Sequence, residues 1–176
     1  MYKIYEIDEN DHVRYALGNK KGKTLYVIGV NPSTATDIQL DPTVTNVKNF
    51  AYNAKFDSFL MFNLYPQRAT DPKDLDTELN QEIHKTNVDM IKYYLESEAN
   101  IWAAWGMTIE KRNYLTKCLM DINQAIKDLN PHWLQYEKET KAGHPKHPSR
   151  KSKEGRFNSF DMDQYIELLS GKKKAA

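Results

Sequence analysis

The sequence predicts an α/β fold, a parallel sheet with helices packed on both faces. Two observations carry this. Short runs of consecutive apolar residues, as in strands buried on both sides, alternate with longer segments whose apolar residues recur at helical spacing. Four such strands and three intervening helices follow one another along the chain, the order that β-α-β units produce. With 176 residues, 40% hydrophobic and 28% charged, the chain is long enough to bury a core without disulfide or metal support.

Residues 2–7 and 12–17 alternate apolar and polar around Asp8-Glu9-Asn10-Asp11, which reads as a β-hairpin. Residues 18–23 form a basic, glycine-bounded turn. Residues 24–30 (TLYVIGV) make the first buried strand, and a polar loop follows to Leu40. Asp41-Pro42-Thr43 is a helix start, because an Asp side chain caps backbone N–H groups and proline fits the first helical position. Val44, Val47 and Ala51 continue at helical spacing.

Residues 58–63 (SFLMFN) are the second strand, and a loop with Pro66 and Pro72 follows it. Leu75, Leu79, Ile83, Val88, Ile91 and Leu95 mark a second helical face. Residues 101–105 (IWAAW) are a third strand closed by Gly106. A helix is expected over 108–129, a fourth strand over 132–136 (HWLQY), and a last helix over 161–169 before a frayed tail at 172–176. The chain therefore reads as a single domain over 1–176, with a hairpin (1–18), an α/β core (24–150) and a C-terminal extension (151–176).

Lys plus Arg number 25 against 24 Asp plus Glu, so no global field draws the chain onto duplex DNA or a membrane. A histone-like coat and an acidic tail are excluded. The lone cysteine, Cys118, excludes a disulfide framework within the chain and disfavours a cysteine-based zinc site. The opening residues are acidic and lead into no signal-like apolar segment. No run approaches the ~18 apolar residues of a membrane span. A cytoplasmic location, no membrane, metal or cofactor, and a monomer are expected.

In parallel α/β sheets, chemistry sits beyond the carboxyl ends of the strands. The first strand ends in Gly29-Val30-Asn31-Pro32-Ser33-Thr34. Pro32 holds Asn31 extended, so its amide can position a water or a ligand. Equally, Asn and Ser can bond their own turn. Neither a G-x-G-x-x-G nor a Gly-Lys-Ser/Thr motif is present, which removes support for dinucleotide binding and nucleoside triphosphate hydrolysis.

The second strand ends at Asn63, whose amide offers the donor and acceptor that match a pyrimidine edge; the alternative has it satisfying loop backbone. Arg68 can contact phosphate, or pair with Asp71 or Asp74. After the fourth strand comes His144-Pro145-Lys146-His147-Pro148-Ser149-Arg150. Residues 138–156 hold seven Lys/Arg and two Glu, either a solvated loop or one that meets phosphate.

Gly29-Val30-Asn31-Pro32, Asn63 through Thr70, and His147-Pro148-Ser149 together resemble the motifs of the uracil-DNA glycosylase superfamily. They are most similar to its mismatch-specific and thymine-DNA glycosylase branch. A closer resemblance, over about residues 25–148, is to an uncharacterised bacterial and phage family, the domain of unknown function numbered sixteen forty-three. It rests on Asn31-Pro32-Ser33-Thr34-Ala35, Asp41-Pro42-Thr43, Asn63-Leu64, Arg68-Ala69-Thr70-Asp71-Pro72, Ala104-Trp105-Gly106 and Gly143-His144-Pro145-Lys146-His147-Pro148.

The glycosylase resemblance implies a three-layer sandwich with a four-stranded parallel sheet ordered 2-1-3-4, plus the N-terminal hairpin. It implies a DNA-repair type hydrolase that cleaves the N-glycosidic bond of a modified or deaminated pyrimidine, in DNA or a nucleotide. Asn31 would orient water, and His147 would donate to the departing base. Asn63, with Ser33, Thr34, Tyr65 and Gly106, would hold the base. Arg68, Lys146, Ser149 and Arg150 would hold phosphates. The alternative is a non-catalytic nucleotide or single-stranded nucleic-acid binder of the same fold. Ser33 departs from the glycine or aromatic common at its position in the glycosylases.

Overall fold

The computed structural model describes residues 1–150 and 155–174, with the side chains of Arg150 and of residues 172–174 excepted. The expected hairpin forms from β1 (Ile4–Ile7) and β2 (Arg14–Gly18), paired antiparallel. Asp8 accepts the Val13 N–H at 2.7 Å, and Asp11 takes a positive φ of 55° in the connection. Three buried strands come next: β3 (Thr24–Gly29), β4 (Ser58–Asn63) and β5 (Asn100–Ala103). They are followed by β6 (His132–Tyr136) and the short β7 (Phe157–Ser159).

All seven strands form one sheet ordered β1-β2-β4-β3-β5-β6-β7. The inner strands β4, β3, β5 and β6 are mutually parallel. Numbered among themselves along the chain, they stand in the order 2-1-3-4. The expected four-stranded parallel sheet is thus corrected to a seven-stranded mixed one. The hairpin does not stand apart: Leu17 pairs with Met61 and Gly18 with Leu60, so β2 extends the sheet beyond β4. At the other edge β7 closes antiparallel on β6. At three residues, β7 was too short to show a periodicity in sequence.

Four helices cover the sheet: α1 (Pro42–Asn53), α2 (Gln81–Tyr94), α3 (Asn113–Ile126) and α4 (Met162–Lys174). Their faces follow from crossover handedness. From β3 the chain moves outward to β4, then back past β3 to β5 and on to β6. Right-handed crossovers running in opposite directions put their helices on opposite faces. Accordingly Val44, Val47, Phe50 and Ala51 of α1 pack with Val27, Met61 and Trp102. Ile91 of α2, Leu115, Leu119 and Ile122 of α3, and Tyr165 of α4 pack with Ile28, Phe62 and Ala103 on the other side.

Asp41 caps α1 as expected, accepting the Val44 N–H at 2.8 Å, with Pro42 in the first turn. The helix expected over 108–129 is divided. A two-turn 3-10 helix (Gly106–Lys111) ends where Arg112 turns extended, at φ −138°, and α3 starts after it. The Arg112 guanidinium donates to the carbonyls of Lys73, Leu75 and Asp76, which holds the chain out of helical path. The second helical face loses Leu75 and Leu79, because Asn80 caps α2 by accepting from Glu82 and Ile83 N–H. The last helix runs on to Lys174, beyond the expected end at 169, and residues 175–176 of the expected tail lie outside the described residues. No helix among the described residues is long and apolar enough to cross a membrane.

Candidate functional site

The reversal of strand order at β3 opens a crevice above the carboxyl ends of β3, β4 and β5. A cleft of about 980 Å³ occupies that place. Asn31, Ser33, Thr34, Asn63, Gly106, Lys146, His147 and Ser149 all line it, so eight of the eleven residues expected from sequence meet in one cavity.

Asn31 follows β3 on the stiff step before Pro32. Its Nδ2 donates to the carbonyls of Pro32 at 3.0 Å and Ala69 at 2.7 Å, while Ala69 N–H donates back to Pro32 O at 2.9 Å. With both amide protons engaged by carbonyls, the side-chain oxygen is fixed as an acceptor. The bonding to its own turn is therefore real, and it orients the group rather than consuming it.

Asn63 ends β4 and is 1% exposed, yet neither its Nδ2 nor its Oδ1 has a hydrogen-bond partner. Leaving a buried polar atom unpaired costs about 1–3 kcal/mol. The site is shaped around this amide: a Cβ at Gly29 would lie 2.8 Å from Asn63 Oδ1. From below, Asn87 of α2 donates to the main-chain carbonyl of Asn63 at 2.9 Å and so holds the strand end in place. The Asn63 side chain does not satisfy loop backbone.

His147 is seated by three elements. Gly106, at φ +62°, lets the loop approach until a Cβ there would be 3.1 Å from His147 Cβ. Asn46 of α1 donates to Pro148 O at 3.3 Å. The backbone N–H of Ser149 donates to His147 Nδ1 at 3.2 Å, and Ser149 Oγ lies 2.8 Å from the same nitrogen. A backbone N–H only donates, so Nδ1 accepts and the neutral imidazole carries its proton on Nε2.

Two expectations are corrected. Arg68 does not line the cleft, nor does it pair with Asp71 or Asp74. Its Nε donates to Asp11 at 2.9 Å and its Nη2 to Tyr5 Oη at 2.8 Å, while Nη1 reaches the carbonyls of Ser33 and Ala35. Pulled between hairpin and loop, the guanidinium is a clamp with no donor left for phosphate. Tyr65 is fully buried; it accepts the Asn80 N–H at 3.2 Å and packs on Tyr114, away from the cavity. Lys146 lines the cleft but is ion-paired with Glu137 at 2.8 Å. The Arg150 side chain lies outside the described residues.

Two cleft groups carried no sequence signal. Arg14 sits at a polar position of an alternating strand, which reads as solvent-facing. Pairing of β2 with β4 leaves it 1% exposed at the cleft wall. Glu110, in the expected helix, also lines the cleft. It is held by the fully buried His144, whose Nε2 lies 2.9 Å from Glu110 Oε1 and whose Nδ1 lies 2.7 Å from Tyr165 Oη. Trp105 Nε1–H donates to the same Tyr165 oxygen at 3.0 Å. Burial raises the Tyr165 pKa, which keeps this chain neutral at the phenol. Of the two His-Pro histidines, only the second reaches the cavity. Cys118 is buried, its thiol pKa pushed up to about 12 chiefly by burial, so the thiol stays protonated at neutral pH. Among the described residues no group of three His, Cys, Asp or Glu is placed to hold a metal ion.

Residues 14–149 match the family described as Protein of unknown function (DUF1643). The match covers most of the chain, and the chain belongs to that family. No curated protein and no solved structure matches it.

Proposed function

We propose that this member of the DUF1643 family binds a nucleobase in the cleft and hydrolyses the N-glycosidic bond of a modified or deaminated pyrimidine, in a nucleotide or a nucleic acid. The observation that carries the reading is Asn63. A buried amide with donor and acceptor both unpartnered, at the floor of a cavity, is complementary to the adjacent N–H and C=O of a pyrimidine edge. The ligand's bonds would offset a penalty already present in the protein.

Asn31 and His147 flank that floor. The fixed Asn31 oxygen accepts from a water and orients it; an amide takes no proton at neutral pH, so the attack is slow and needs a base that departs well. His147 Nε2–H is the hydrogen-bond donor for the charge that develops on the leaving base; the water oxygen bonds to the sugar carbon as the C–N bond breaks, and the proton the water loses ends on the departed base. In this reading the family is a distant relative of the uracil-DNA glycosylase superfamily. The parallel strand order 2-1-3-4 and the meeting of Asn31, Asn63 and His147 support the link. The lack of a proton-accepting group at Asn31 favours, as the second reading, a nucleotide or single-strand binder that does no chemistry.

The test is release of free base, followed by chromatography, from uracil-containing and mismatched oligonucleotides and from deoxyuridine monophosphate. Release by the wild type that Asn31→Ala abolishes supports hydrolysis. Binding that depends on Asn63 without release supports the second reading. Failure of every pyrimidine ligand to bind overturns both.

A further inference from the structure

Arg14 is an expensive residue to keep where it stands. Its side chain is buried, and no carboxylate forms an ion pair with it among the described residues. Nη1 donates to Ala35 O at 2.9 Å, Nε is buried without a partner, and no hydrogen bond engages Nη2. Arg68 approaches the same Ala35 carbonyl, so a second positive charge lies beside it. Burial and then that neighbouring charge push the Arg14 pKa down to about 10, against a smaller upward pull from the Asp41 carboxylate, and it stays cationic at neutral pH.

The surroundings point the same way. The first turn of α1, from Asp41 to Val44, lines the same cleft, and the positive end of a 12-residue helix favours an anion. The Asp41 carboxylate lines the cleft too; its Oδ1 accepts the Val44 N–H in capping that helix, and its charge acts on Arg14. Arg14 N–H donates to Pro66 O at 2.9 Å, which sets the residue level with the chain just beyond Asn63. Guanidinium and amide belong to neighbouring strands and line the same cleft.

Resting on the reading of Asn63 as a base-binding group, we propose that Arg14 and the α1 N-terminus hold the terminal phosphate of a pyrimidine mononucleotide. The ligand is then a free nucleoside monophosphate rather than a polynucleotide. A terminal phosphate is linked on one side only and can enter a recess to meet the guanidinium of Arg14, a residue that is 1% exposed. A phosphodiester continues on both sides and is held at the rim. The chain's net charge of +1 supplies no broad footprint for a strand's phosphates.

Calorimetric titration of the full chain with deoxyuridine, deoxyuridine 5′-monophosphate and a uracil-containing single-stranded oligonucleotide tests this. The monophosphate is expected to bind at least about tenfold tighter than the nucleoside, as a charge-assisted bond to a buried cation requires. It should also bind more tightly than the oligonucleotide. Arg14→Met should bring nucleoside and monophosphate to equal affinity. That variant keeps the volume, removes an unpaired buried charge, and leaves Ala35 O with the Arg68 donor, so it is expected to fold.

Should Arg14→Met unfold, the wild-type comparison of nucleoside with monophosphate still decides. Equal affinities in the wild type, an undiminished ratio in a folded Arg14→Met, or a preference for the oligonucleotide overturns the assignment. Inorganic phosphate alone separates the two ideas. Stabilisation of the wild type by phosphate, absent in Arg14→Met, with no nucleoside or nucleotide bound, leaves an anion site standing but overturns the nucleotide and the base pocket together. Nucleoside binding without any gain from phosphate overturns the role of Arg14 and leaves the base pocket intact.

Discussion

Replacing Asn63 by leucine separates a residue kept for a ligand from one kept for the fold. Leucine copies the branched outline of the amide with methyl groups in place of O and NH2. In the free protein the two unpartnered polar atoms of Asn63 each cost about 1–3 kcal/mol. The new methyls press on Gly29 and Met61, which line the same wall. Crowding of that kind costs about 1–3 kcal/mol. Taken at mid-range, the balance favours Asn63→Leu by roughly 2 kcal/mol, a rise in Tm of roughly 4–8 °C for a chain of this size. Pyrimidine binding should vanish at the same time, the usual exchange of stability for function at a binding site. Thermal unfolding followed by circular dichroism, with calorimetric titration of deoxyuridine monophosphate, reads both effects. A lower Tm in Asn63→Leu would refute the reasoning, because it would mean that the amide holds the fold together.

Three further expectations follow, two on the frame of the cleft and one on the pairing of α2 with α3. Gly106→Ala forces a side chain into the left-handed region, costing about 1–2 kcal/mol, and brings a Cβ to 3.1 Å from His147 Cβ. Tm should fall and ligand affinity with it; an unchanged affinity would show that the seat of His147 does not matter. Asp41→Ala removes the cap of α1 and should cost about 1 kcal/mol in urea unfolding, with amide exchange fastest at Thr43 and Val44, and no loss of stability would contradict the cap. Acid stability should depend on Asp121: burial raises its pKa, but hydrogen bonds from Lys117 and His84 and their charges outweigh that and lower it. A carboxyl lowered in the folded state stabilises fully above its unfolded pKa of about 3.9 and loses that contribution as pH falls through the folded value. Urea unfolding from pH 7 to pH 2 should therefore show a shallower acid limb in Asp121→Asn than in the wild type; superimposable limbs would contradict the pairing.

Some features were legible from short stretches of chain. The buried runs at Leu25, Phe59 and Ile101 became central strands, because continuous apolar sequence leaves little choice but burial on both faces. The Asp41-Pro42 cap is visible because capping is decided within four residues. Other features were misread for reasons beyond any local window. The 108–129 segment has helical periodicity throughout, yet carbonyls 36 to 39 residues away bind Arg112 and break it. Arg68 sits in a motif that suggests phosphate, but Asp11, 57 residues earlier, and the Ser33–Ala35 loop take its donors. Tyr65 looked like a strand-end contact, and the packing of Tyr114 shows it to be core.

Periodicity and punctuation alone were enough for the α/β alternation, the hairpin and the positions of the strand ends, because these depend on each residue's neighbours along the chain. Which polar groups lack partners was settled only when strands from distant parts of the chain came side by side. Arg14 is ordinary in an exposed hairpin and costly once β2 lies against β4; Asn63 is ordinary at a strand end and costly once Gly29 admits its amide to the cleft floor. Desolvation and pairing are properties of the assembled interior, and they mark the residues with the most to gain from a ligand.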